Sequence, residues 1–586
     1  MQASTSSTPA ASSSSQQPWV IAKIGGTSVG KQLRAVVETI VPTHIKSGNR
    51  IALVCSARSG NTKATGTTNL LLRAAHEALR PKGNPTDLSS SVPSLRNSPS
   101  QSPAPGTPAT PRGSYLLSGS VSSLRLSRSA TPDERQPFDD TVDQIKEDHM
   151  AAARKAIVNS RELLDEVEEE LEYDCERLRG FLRAAQIIDE ISTRSKDIIM
   201  GVGERLSCRI VAAALRDRGI DAELVSLENI IDWDVLTDED AQTGKAADGP
   251  PQLGQAFYSR LSQRLGERLA ECGDRVPVVT GFFGVVPGSL LAQVGRGYSD
   301  LCAALCAVGV GASELQVWKE VDGIFTADPR KVPTARLLST ITPEEAAELT
   351  YYGSEVIHPF TMEQVIRAAI PIRIKNVENP SGEGTIIFPD SVAPDAHPAD
   401  HTARNTVAPS VATRAPASVP SSALEPHLGP TAITIKDTVV VLSVHSNRKT
   451  IAHGFFARIF GTLDKHGIVV DLISTSEVHV SLAVHGEMRK SVLDRVVRDL
   501  KPVGEVSISR DMAILSLVGK HMKNMVGTAG KMFSTLAEGN VNIEMISQGA
   551  SEINISCVIE ERDAVKALNL VHLKLLNQAP QGPAGY

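Results

Sequence analysis

At 586 residues the chain is too long for one ordinary domain and has room for three or four. Its 41% hydrophobic and 22% charged residues are the proportions of a soluble globular protein and exclude a mainly disordered or membrane-embedded chain. The net charge of −7 argues against nucleic acid or an anionic membrane as the main partner, and no apolar run approaches the roughly 20 residues of a bilayer span.

Residues 1–17 read as a polar tail without the apolar core of a secretory signal or the Arg-rich face of a mitochondrial presequence, so a cytoplasmic address is expected. A strand is predicted from Trp19, followed by Gly25-Gly26 and a helix. A second apolar run, Ile51 to Cys55, ends in small polar residues before a helix from Leu70. Strand, small-residue loop, helix, strand is the rhythm of a parallel α/β sheet. The rhythm breaks over 81–137, a Ser- and Pro-dense stretch expected to be disordered because it cannot bury enough apolar surface to offset its ordering entropy. Its Ser-Pro and Thr-Pro pairs read equally as phosphorylation sites or as chance in such a composition. Helical pattern resumes near Asp139 and runs to about Ser195, with an acidic run, Glu166 to Glu172, expected to face solvent. Strand and helix signals alternate to about Phe388, and 389–430 is a second Pro/Ala/Ser-rich stretch, expected to be a linker.

An internal repeat follows. Ile459–Leu463 matches Met532–Leu536, Asp471–Ser474 matches Glu544–Ser547, and Ser476–Ser481 matches Ser551–Ser556. The spacing predicts two copies of a ferredoxin-like βαββαβ unit, at 431–508 and 509–576, with a short tail at 577–586. The seven cysteines form no C-x-x-C pair, and no metal site is predicted.

The chemistry-bearing segments lie in the first half. Lys23-Ile-Gly-Gly-Thr-Ser-Val-Gly30 joins a strand to a helix, where glycines let the backbone approach a polyanion and Lys23 can reach a transferring phosphoryl group. It is not a Walker A loop, since no Gly-Lys pair is followed by Ser or Thr. With it stand Ser56 and Thr68-Asn69, Gly203-Glu-Arg-Leu-Ser207, Gly281-Phe-Phe-Gly284, Gly295-Arg-Gly-Tyr-Ser-Asp300, Val321 to Arg330, and Gly353-Ser-Glu-Val-Ile-His-Pro359. In this order, across about 19–388, they resemble the aspartate kinases of the amino-acid kinase family, with the repeat resembling that family's paired ACT domains.

The resemblance implies an α/β fold: an amino-acid-kinase three-layer sandwich with a mainly parallel sheet over 18–388, plus two C-terminal ferredoxin-like ACT units. It implies phosphorylation of L-aspartate by ATP with Mg²⁺. A carboxylate is already an anionic nucleophile, so the task is positioning and charge neutralisation rather than proton removal. By resemblance, Lys23 neutralises charge on the phosphoryl group and Asp300 orients that lysine. Ser56, Thr68, Glu204 and Arg296 bind aspartate, and Gly25, Gly26, Thr27, Ser28, Lys319, Glu320, Phe325, Arg330 and Glu355 contact the nucleotide. Plainer readings stand beside these: Ser56 and Thr68 as helix caps, Glu204 as a first-turn charge, Arg296 in a structural ion pair. Lys319-Glu320 stands where Thr/Ser-Asp is common, Phe325 where Tyr is, and Glu355 where Lys is, which suggests a relocated phosphate contact. Tyr298 replaces a small residue. An amino-acid effector, expected to be threonine because the Ser/Pro insertion and Gly-Arg-Gly-Tyr resemble fungal members, would bind between ACT units near Asn447, Gly454, Asp471 and Ser474. The units are also expected to assemble a homo-oligomer. The alternatives are another amino-acid kinase, or an amino-acid sensor with a degenerate kinase half.

Overall fold

The computed structural model describes residues 17–60, 66–79, 135–232, 234–236, 253–286, 289–290, 297–351, 357–388, 429–446, 454–486, 490–549 and 553–577. Most of the expected tails, insertion and linker lie outside these residues.

The first half is built on an eight-stranded sheet in the order β3-β4-β2-β1-β5-β7-β8-β6. Its strands are β1 Trp19–Ile24, β2 Arg50–Cys55, β3 Ala222–Val225, β4 Val276–Thr280, β5 Glu314–Lys319, β6 Thr340–Ile341, β7 Ile372–Asn376 and β8 Thr385–Ile387. Among the described pairs only β7–β8 is antiparallel. Helices cover both faces, which is why the central strands read as nearly continuous apolar runs. Alternation along β1 sends Ala22 and Ile24 into one core, with helices Thr67–Ala78, Pro137–Ala156, Arg161–Ile188 and Thr193–Arg216. Ile21 enters the other, with helices Gln255–Ala270, Tyr298–Val310 and Pro359–Arg367.

The helical stretch expected from about Asp139 to Ser195 is helical and divides into Pro137–Ala156, Arg161–Ile188 and the start of Thr193–Arg216. Asp217 takes the amides of Val158, Asn159 and Ser160, and Ser192 caps the next helix by accepting from Ser195 N–H. The acidic run does more than face solvent. Glu168, Glu170 and Glu172 pair with Arg154, Arg209 and Lys146 on neighbouring helices.

The second half is one six-stranded antiparallel sheet in the order β10-β11-β9-β12-β14-β13. Its strands are β9 Ala432–Ser446, β10 Leu472–Thr475, β11 His479–His485, β12 Gly504–Val518, β13 Met545–Ser547 and β14 Asn554–Glu560. Each 15-residue strand, β9 and β12, serves both βαββαβ units. The Val439–Ser446 part of β9 pairs with β11 and with the start of β12, while Ala432–Lys436 pairs with Ile514–Val518. The second unit therefore takes its fourth strand from residues that precede the first unit in the chain, within a segment that the sequence division assigns to the first. A bulge with Thr438 and Asp511 at positive φ marks the crossover.

Candidate active site

Four loops leave the carboxyl ends of β1, β2, β4 and β5, the edge of a parallel sheet at which ligands bind. The β1 loop presses against the β2 loop. A Cβ on Gly26 would lie 2.2 Å from the Ala57 carbonyl oxygen, so only glycine fits, and Ser59 N–H donates to Gly26 O at 2.9 Å. Lys23, near the end of β1 and held there by pairing with β2 and β5, stands beside Asp300 on the first turn of Tyr298–Val310. Lys23 Nζ lies 2.7 Å from Asp300 Oδ1, and the two side chains are only 12% and 17% exposed.

Two cavities open around this pair. The smaller, about 150 Å³, is lined by Ser56, Arg58, Thr68, Glu204, Tyr298 and Ser299 among others. Ser56 Oγ shares a hydrogen bond of 2.8 Å with Ser299 Oγ. Thr68 is not a cap, since its helix is capped at Gly66 without a side-chain bond. Glu204 sits in the middle of Thr193–Arg216 rather than in a first turn, and is 2% exposed. Burial raises its carboxyl to about 8 against the opposing pull of the Tyr298 hydroxyl, the Phe282 amide and Lys23. Its Oε2 is buried with no hydrogen-bond partner. Ser207, the last residue of the Gly-Glu-x-x-Ser segment, accepts from Arg58 N–H at 2.7 Å and so fixes the β2 loop.

The larger cavity, about 980 Å³, carries Lys23, Gly25, Gly26 and Thr27 at one end. Lys319, Glu320, Phe325 and Arg330 form its wall. Ser28 turns away: it is fully buried, and its hydroxyl donates to Glu320 Oε1 at 2.8 Å. Asp322 accepts from Asn376 Nδ2 at 3.0 Å, a structural contact. Arg296, Glu355 and Asn447 lie outside the described residues.

Residues 18–376 match the family model "Amino acid kinase family", and 515–575 match "ACT domain". The Aspartokinase of Schizosaccharomyces pombe is 47% identical over 567 residues, 95% of this chain and 93% of that one. That of Saccharomyces cerevisiae is 46% identical over 579 residues, 96% and 94% of the two chains. The chain belongs to the aspartokinases. The fold agrees: Escherichia coli aspartokinase III, solved with aspartate and ADP, superposes with a TM-score of 0.61 at 22% identity, covering 95% of this chain and 99% of that one.

As an aspartokinase the chain brings Lys23, Ser56, Thr68, Glu204 and Asp300 to one cleft, although more than 270 residues separate the first from the last. Ser299 and the Tyr298–Glu204 contact are site features the sequence reading does not contain, although Tyr298 and Ser299 lie inside the Gly-Arg-Gly-Tyr-Ser-Asp segment; a hydroxyl next to Asp300 on a first helical turn is the available signal. In the ACT half, Gly454 opens helix Phe455–Lys465 at φ 81°, and Ser474 is exposed on β10. Asp471 is held by Lys436 Nζ at 2.6 Å and by His485 N–H at 2.7 Å, so its carboxylate already serves an internal pair. No helix among the described residues is long and apolar enough to cross a membrane.

Proposed function

We propose that the chain transfers the γ-phosphoryl group of ATP to the β-carboxylate of L-aspartate, with aspartate in the smaller cavity and the nucleotide in the larger. The carrying observation is the Lys23–Asp300 ion pair at 2.7 Å, because Lys23 lines the larger cavity while Tyr298 and Ser299, next to Asp300, line the smaller. A β-carboxylate oxygen forms a bond to the γ-phosphorus as the bond to the β,γ-bridging oxygen breaks, and the electron pair leaves with ADP. No base is required. The obstacle is repulsion between two anions, which a partly buried ammonium offsets far better than one in water. Asp300 fixes where that ammonium points. Ser56, Ser299 and Thr68 offer hydroxyls to the substrate, and Arg296 is assigned a substrate carboxylate. The unpartnered Oε2 of Glu204 suits the substrate ammonium.

Among the described residues no three His, Cys, Asp or Glu side chains gather as a metal cage. Mg²⁺ carried by a nucleotide needs only one or two carboxylates, and Glu320 and Asp328 on the cavity wall are of that type. Bound there, the ion would neutralise phosphate charge. We also assign the chain a cytoplasmic setting, a homo-oligomer formed through its ACT units, and threonine as effector, acting on the first step of the threonine and methionine branch.

Aspartate-dependent ADP release, with threonine and lysine titrated separately, tests the whole reading. No release from the folded wild type would leave an amino-acid sensor instead. Lys23→Ala should lower kcat by about 10²- to 10³-fold, the scale seen when a charge-stabilising group is removed. Asp300→Ala should lower kcat by about 10²-fold, because the lysine remains but is no longer aimed. Near-normal turnover in either folded variant would refute the roles.

A further inference from the structure

Residues 321–336 run from the end of β5 toward β6, and one side of this stretch is the wall of the larger cavity, with Phe325, Asp328, Arg330 and Lys331. Its other side is sunk into the second βαββαβ unit. Val332, fully buried, and Ala327, 3% exposed at the cavity's border, share an apolar cluster with Leu517 and Val571 and with Ile433 and Leu568, which also border the cavity. Ile433 N–H donates to Thr326 O at 2.8 Å, Asn569 Nδ2 donates to Lys331 O at 3.0 Å, and Arg336 Nη2 donates to Leu576 O at 2.7 Å.

At the centre is His572, which is fully buried. Its Nε2 lies 2.9 Å from Thr326 Oγ1 and its Nδ1 lies 3.3 Å from Thr334 Oγ1. Thr326 Oγ1 also accepts from Arg336 N–H at 2.9 Å, so one ring ties both ends of the wall segment. Burial and the nearby Arg336 push the imidazole below its usual pKa, and the neutral ring has the one donor and one acceptor that two hydroxyls can match.

We propose that His572 is a positioning residue for the nucleotide: through Thr326 and Thr334 it holds the 326–334 wall, and with it Asp328 and Arg330, in the shape that grips ATP. The inference rests on reading the larger cavity as the nucleotide site. A residue of the second ACT unit thereby becomes part of the kinase's substrate affinity, through a wall it does not itself line.

The experiment compares steady-state kinetics and displacement of a fluorescent ATP analogue in full-length His572→Phe, His572→Gln, Thr334→Val and Phe325→Ala proteins. His572→Phe keeps the ring and removes both hydrogen bonds. It should raise KM for ATP about 5- to 10-fold, the scale of one or two lost hydrogen bonds, while kcat and KM for aspartate stay within about twofold. His572→Gln, whose amide NH₂ can donate to one threonine hydroxyl while its carbonyl accepts from the other, should recover most of the affinity. Thr334→Val should raise KM for ATP about 3-fold and decides the matter alone if His572→Phe does not fold. Unchanged ATP affinity in His572→Phe and Thr334→Val, with Phe325→Ala weakened, overturns the inference and leaves the nucleotide reading standing. Unchanged affinity in Phe325→Ala as well removes both.

Discussion

Glu204 has no charged partner among the described residues that outweighs its burial, and this sets its titration. With its carboxyl at about 8, most molecules of the free enzyme near pH 7 carry a neutral Glu204, and binding a substrate ammonium must expel that proton. The consequence has a definite sign: kcat/KM for aspartate should climb with pH and level off above about 8. The Tyr298 hydroxyl and the Phe282 amide stabilise the ionised form, as does Lys23, while the buried thiols of Cys208 and Cys302 lie near it as neutral groups. Glu204→Gln should abolish that limb and raise KM for aspartate roughly 100-fold, the scale of losing a buried charge partner. A pH profile unchanged in the Gln variant would show that another group governs it. Glu204 itself was legible from Gly-Glu-x-x-Ser. Its pKa was not, because burial comes from residues as distant as Gly281 and Tyr298, which no local window contains.

Among the elements, helix Pro137–Ala156 carries a group that should register in stability. His149 is fully buried, with Nδ1 donating to Ile145 O at 2.7 Å, and burial lowers its pKa to about 4. A histidine kept neutral in the fold but free to charge when unfolded stabilises the protein above its unfolded pKa and loses that contribution as pH falls toward the folded one. Unfolding free energy should therefore drop by about 2 kcal/mol between pH 7 and pH 5 from this residue alone. Urea titrations at the two values should show a smaller drop in His149→Gln. The helix was readable from its apolar spacing, and so were the sheet rhythm and the repeat. The breaks at 157–160 were not: the capping carboxylate, Asp217, lies some way downstream, and helical periodicity is silent about such partners.

Across the whole molecule, Glu345 is a second point, besides the 321–336 stretch, at which the two halves meet. Its buried carboxylate accepts from Thr431 Oγ1 at 2.6 Å and Lys520 N–H at 2.8 Å, both in the ACT half, while also accepting from Thr342. Glu345→Ala would remove the acceptor these groups share across the junction and should lower unfolding free energy by about 2–3 kcal/mol. The neighbouring Glu344, half exposed in its pair with Lys520, should matter by less than about 0.5 kcal/mol when replaced by Ala. Equal losses in denaturant melts would mean that the buried carboxylate is not the joint. Such a joint leaves little trace in sequence, since Glu345 sits in an ordinary amphipathic helix and both partners are backbone or a short hydroxyl. The motifs could give the kinase cleft because family chemistry repeats there; the junction depends on hydrogen bonds between residues far apart in the chain, which no motif records. The shared strand β9 also fixes an order of events during synthesis. Residues 432–436 emerge from the ribosome long before 514–518, the described strand segment against which they zip. Until then the nascent polypeptide trails an open apolar edge, able to be captured by a sister chain on the same message.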